Sequence, residues 1–86
     1  MQLSPEVLEN YLNRLGVAAG EYSIGAEIDS RVCALPVDEG WSVFYSERGL
    51  RTDEVGFENQ DVALIYLLGL FTQQQLDRGS LTEATA

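Results

Sequence analysis

The chain has 86 residues, fourteen Asp and Glu against five Arg, and neither Lys nor His, for a formal charge of −9 and a pI near 4.1. That length supports one domain with a small core, and an apolar content of 45% is that of a globular chain and not of a disordered one. The charge repels phosphate backbones, which argues against ordinary nucleic-acid binding, and it speeds encounter with basic surfaces.

In chain order, Ser4-Pro5-Glu6 opens a helix: Ser4 can cap, Pro5 suits the first helical position, and Glu6 suits the positive end of the dipole. Val7, Leu8, Tyr11, Leu12 and Leu15 recur at helical spacing, and Gly16 supplies a stop. Tyr22, Ile24, Ala26 and Ile28 then alternate with polar and small residues, which predicts a half-buried strand. After a turn at Asp29-Ser30, residues 31–37 read as a second strand, with Pro36 weakening pairing near its end. Asp38-Glu39-Gly40 is the next turn. Residues 41–46 form the best strand, with Trp41, Val43 and Tyr45 on one face and Ser42, Phe44 and Ser46 on the other. Aromatics on both faces require cover on both, from the core or from a partner.

Glu47-Arg48-Gly49 reads as a hairpin loop with Gly49 at positive φ. A weaker strand over residues 50–57 follows, interrupted at Asp53-Glu54. Asn59 can cap a last helix. Its residues 62–71 are apolar nearly all round, from Val62 through Leu64, Ile65 and Leu68 to Phe71. Such a helix needs more cover than one sheet face gives; the first helix supplies some, and self-association as a homodimer or a partner could supply the rest. Gly79 ends the helix, and residues 80–86 read as a frayed tail. The expected fold is α+β in two layers: one domain over residues 1–79, helix, antiparallel meander of three to four strands, helix, with both helices on one face of the sheet.

The side chains offer little chemistry. Without His and with Cys33 as the single cysteine, zinc and iron sites and disulfides have no ligand set. Cys33 sits in an apolar run and reads as a core residue. Asp53, Glu54, Glu58 and Asp61 lack the spacing and central Gly of a calcium loop. Ser, Thr and Cys have no basic partner, and no phosphate loop is present. A carboxylate pair such as Glu27 with Asp29 would need a cleft that a short chain has little room to build. The reading is therefore not an enzyme and without a cofactor. The N-terminus lacks a basic region followed by an apolar stretch, and the longest apolar run falls short of a membrane span, so a cytoplasmic protein is expected.

Recognition remains. The loops carry Glu27, Asp29, Asp38, Glu39, Glu47, Asp53 and Glu54, with Trp41, Phe44 and Tyr45 between them. Aromatic anchors with a charged rim suit a specific protein interface, although strand aromatics ordinarily fill cores and at least two of these three are expected there. The segment Trp41-Ser42-Val43-Phe44-Tyr45-Ser46-Glu47-Arg48-Gly49, continuing to Phe57 and the helix from Ala63 to Leu68, resembles small immunity proteins of bacterial polymorphic toxin systems. These often carry a GW-x-V-x-YSERG strand and turn before an acid-capped helix. The resemblance covers about residues 21–70; the first helix has no counterpart in it.

It implies a protein that binds a cognate toxin with a basic surface and blocks its active site, and the toxins of similar proteins include NAD-degrading necrotizing-type enzymes. The expected contacts are Glu27, Asp29, Asp38, Glu39, Trp41, Tyr45, Glu47, Arg48, Asp53 and Glu54, with Glu47 and Arg48 at the hairpin tip. The tip also has a structural reading, which is the simpler one: Arg48 pairing with a carboxylate and Gly49 serving only the turn. Two alternatives stand beside this function. One is an acidic homo-oligomeric regulatory protein built on the helix over residues 62–71. The other is a nucleic-acid mimic whose carboxylates are spaced like phosphates.

Overall fold

Residues 3–79 are described by the computed structural model. The first helix, α1 (Pro5–Arg14), begins as its sequence dictates: Ser4 Oγ accepts from the Val7 N–H at 3.2 Å and Pro5 fills the first turn. Gly16 takes φ +84°, its N–H donates to Asn13 O, and the Val17 N–H donates to Leu12 O, which closes the helix with a Schellman motif. Leu8 and Leu12 are fully buried, whereas Val7 and Tyr11 on the helix flank stay exposed. A 3-10 turn, Ala19–Glu21, leads into the sheet.

The sheet holds β1 (Tyr22–Ile24), β2 (Arg31–Val37), β3 (Gly40–Glu47) and β4 (Leu50–Phe57), in that spatial order. β2, β3 and β4 make the expected antiparallel meander, but β1 pairs parallel to β2, Tyr22 beside Val32 and Ile24 beside Ala34. The sheet is therefore mixed, and the strand expected through Ile28 stops at Ile24. Gly25, at φ +95°, donates to Ala34 O at 2.8 Å, and Ser23 Oγ donates to Ala26 O at 2.7 Å. Those bonds turn the chain out of the sheet, so apolar alternation at Ala26 and Ile28 does not continue the ladder. Loop 25–30 then carries the chain back to the start of β2, far shorter than the dozen or so residues of a usual parallel crossover.

Two details of β2 and β3 follow from backbone chemistry. β1 spans only Val32 to Ala34 of β2, so Pro36, which has no N–H to give, lies beyond β1 and faces Trp41 of β3 alone. Gly40 approaches β4 so closely that a Cβ there would meet Phe57 O at 2.0 Å, so this position admits only glycine. Arg48 at φ +52° and Gly49 at φ +78° give the two positive values that a tight primed hairpin turn requires. In β4, Val55 faces Val43 and Thr52 faces Tyr45, leaving Asp53 and Glu54 together opposite Phe44. This β-bulge puts Asp53 at φ +54°, a conformation that Asp tolerates better than most residues.

The second helix, α2 (Gln60–Asp77), runs well beyond the expected apolar stretch. Asn59 caps it by accepting from the Val62 N–H at 3.0 Å, and Gly79 follows its end at φ +76°. Asp61 Oδ1 accepts from the Leu3 N–H at 3.2 Å, and Gln75 Nε2 donates to Leu15 O at 2.7 Å. Start meets start and end meets end, so α1 and α2 run parallel. Ala63, Leu64, Leu67 and Phe71 of α2 join Leu8 and Leu12 of α1, and Tyr22, Ala34 and Val43 of the sheet, in one buried cluster. Val62, Ile65 and Leu70 remain exposed on α2. The frayed tail expected at residues 80–86 lies outside the described residues. Among the described residues no helix is long and apolar enough to cross a membrane.

Candidate functional site

Two surfaces bear on function: the sheet face turned away from the helices, and the edge made by β4 and α2. Cys33 and Phe44 are both buried, yet neither belongs to the helix-side cluster. Paired residues of adjacent strands share a face, and Cys33 pairs with Phe44. Loop 25–30 crosses over them: the Ile28 N–H and carbonyl O each lie 3.5 Å from Cys33 Sγ. From the other side the Arg51 guanidinium sits 4.1 Å from the Phe44 ring centre, a cation–π contact.

Arg51 ties this cover together. It bonds Glu27 of the loop at 2.9 Å and Glu54, across the bulge on its own strand, at 2.8 Å. Glu54 also accepts from Ser42 Oγ at 2.6 Å. The Ser42 hydroxyl, helped by Arg51, holds the Glu54 carboxyl below the usual carboxylate range, against the opposing pull of desolvation. A carboxylate stabilised in this way is a weak base, and Ser42 itself is buried, so the pair serves structure better than proton transfer. At the loop's far end the Arg48 N–H donates to Asp29 Oδ1, and the Ser30 N–H donates to Ser46 O at 2.7 Å. These bonds fix the β3–β4 hairpin tip against the loop.

The contacts expected from sequence therefore divide into groups. Glu27, Asp29 and Glu54 hold the loop and the hairpin within the molecule. Asp38 and Glu39 are exposed at the β2–β3 turn, at the opposite end of β3 from Glu47 and Arg48, which are exposed at the β3–β4 turn. Arg48 pairs through its backbone, while its side chain makes no ion pair among the described residues. Trp41 is half-buried and packs against the core cluster. Of the three strand aromatics, Phe44 is fully buried and Trp41 and Tyr45 are half-buried.

Tyr45, Asp53 and Glu54 do converge, at a groove of about 510 Å³ between the β3–β4 pair and α2. Its other walls include Val32 of β2, Val43, Val55, and Tyr66, Leu70 and Gln74 of α2. The Phe57 ring stands 5.0 Å from Tyr66 where β4 gives way to the helix. Every residue of β4 before Phe57 is exposed, and among the described residues β4 pairs only with β3.

Sequence reasoning missed Arg51, Ser42, Tyr66 and Leu70. Arg51 meets Glu54 beside Ser42 only because the bulge at Asp53 brings residues 51 and 54 to the same face of β4, and no local pattern announces that. Leu70 had a usable signal, since it belongs to an apolar stretch too broad for one sheet face to cover. A second groove, of about 520 Å³, lies between the helices and is lined by Tyr11, Arg14, Leu15, Leu68 and Thr72. No protein-family model, curated protein or solved structure matches this chain.

Proposed function

We propose that this protein is an immunity protein, a non-catalytic inhibitor that docks onto a basic toxin domain in the producing cell and covers its active site. The observation that carries the reading is the surplus of free negative charge. Arg51 and Arg78 take Glu27, Glu54 and Glu21. Glu6, Glu9, Asp38, Glu39, Glu47, Asp53, Glu58 and Asp77 are exposed and make no ion pair among the described residues. A surface of this kind steers a basic partner to rapid encounter, and nearby apolar groups then slow release. The resemblance of the Trp41 to Gly49 segment to immunity proteins supplies the class of partner, and an NAD-degrading toxin is its narrowest form.

The test is co-expression with the toxin domain encoded beside this chain. Restored growth, together with a complex whose association slows as salt rises, supports the reading. Undiminished toxicity with no complex overturns it. A second reading, a homo-oligomeric regulatory protein, is favoured by Val7, Tyr11, Val62 and Ile65, which leave apolar surface exposed on the paired helices. Light scattering separates the two: a dimer that Ile65→Lys dissolves, and that binds no toxin, favours the second.

A further inference from the structure

We propose that the free edge of β4, with the groove beside α2, receives a short, basic, extended segment of the partner, which adds to the sheet next to β4. This deepens the docking reading and rests on it. Three features meet at this edge. The outer backbone of β4 is unpaired among the described residues, which leaves donors and acceptors for strand addition. Val55 and Leu70, each 37% exposed, are the apolar lips of the groove, and Tyr45 and Tyr66 extend the lining. Asp53, at the bulge, is exposed and makes no ion pair among the described residues, so its charge is free to meet a cation.

Charge selects the occupant. Two copies pairing edge to edge about a two-fold axis at Asp53 would set its free carboxylate directly against that of the other copy, and like charges directly opposite destabilise a strand pair. A segment alternating apolar residues with Arg or Lys has no such conflict. Its apolar side chains reach Val55 and Leu70 while its cations lie near Asp53. The bulge interrupts the outer ladder, so the segment is short, about four or five residues, and not a long flat strand.

The experiment is an NMR titration of the full chain with an end-capped peptide alternating Val and Arg. Amide shifts confined to β4 and to residues 66–74 are expected. Asp53→Asn keeps a residue that accepts the bulge conformation and should weaken binding about threefold. Leu70→Lys should weaken it at least about tenfold. Val62→Lys, exposed and outside the groove, should leave it unchanged. Equal binding of a Val–Glu peptide, shifts elsewhere, no shifts at millimolar peptide, or a dimer that Leu70→Lys dissolves would each overturn the proposal. A toxin domain that binds the Asp53→Asn and Leu70→Lys variants as tightly as the parent leaves the docking function standing and removes this edge from it. Peptide binding as described without toxin protection does the reverse.

Discussion

On one side of the sheet, Ala34 and Val43 lie buried beneath Leu64, Leu67 and Phe71, a contact between apolar groups that needs no particular partner atom. On the other side, Phe44 is 1% exposed and Cys33 is fully buried, yet their cover is loop 25–30 and a guanidinium. The helix side depends on area removed from water, which is tolerant of detail. The loop side depends on Glu27, Arg51, Glu54 and Ser42 meeting in one arrangement, because a loop without regular structure must satisfy its polar groups individually. The contrast teaches that equal burial can have unequal fragility: salt, acid or one substitution can open the second side and leave the first intact.

The largest test asks whether the two sides are equal in stability. Phe44→Ala and Leu67→Ala should each destabilise by about 3–5 kcal/mol in urea unfolding, since both remove a fully buried side chain. A cost below about 1 kcal/mol for Phe44→Ala would show that the loop is no true cover. The next test asks whether they differ in fragility. Arg51→Gln should raise the rate at which a thiol reagent labels Cys33 in the folded protein several-fold, and high salt should do the same to the parent by screening the ion pairs. Labelling indifferent to both would mean that the polar clasp does not hold the loop.

The smallest effect is one of pH. The folded-state pKa of Glu54 is depressed, so its contribution is present above the unfolded carboxyl value, about 4.3, and is lost as pH falls through the lower folded value. Ser42→Ala should therefore lower stability at neutral pH, with the gap to the parent closing in acid. A gap independent of pH would show that the Ser42 bond does not favour the ionised carboxylate. Tyr22 gives the converse on the helix side. Burial first, and Glu9 second, raise its pKa, so its contribution is complete below the ordinary tyrosine value, about 10, and is lost as pH rises through the folded one.

Much of the fold was legible because it is written locally. Ser4, Asn59, Gly16, Gly49 and Gly79 mark ends and turns through their own hydrogen bonds or backbone freedom, and each stands where those properties place it. Alternation in β3 correctly required cover on both faces, but it could not say that the cover of Phe44 comes from the chain's own loop. The expected contact set was read from composition, and it divides for the same reason. Acidic residue types are visible in sequence, whereas the partners that engage Glu27, Asp29 and Glu54 come from β4 and the hairpin tip.

By itself the amino-acid sequence determined two capped helices, the β2–β3–β4 meander and an acidic surface, since periodicity, capping and charge act over a few residues. Only the tertiary structure decided that β1 runs parallel, that α1 and α2 run side by side in one direction, and that a bulge at Asp53 brings Arg51 to the face of β4 that carries Glu54, beside Ser42. Those outcomes depend on hydrogen bonds between residues far apart in the chain, whose geometry exists only once the layers have packed.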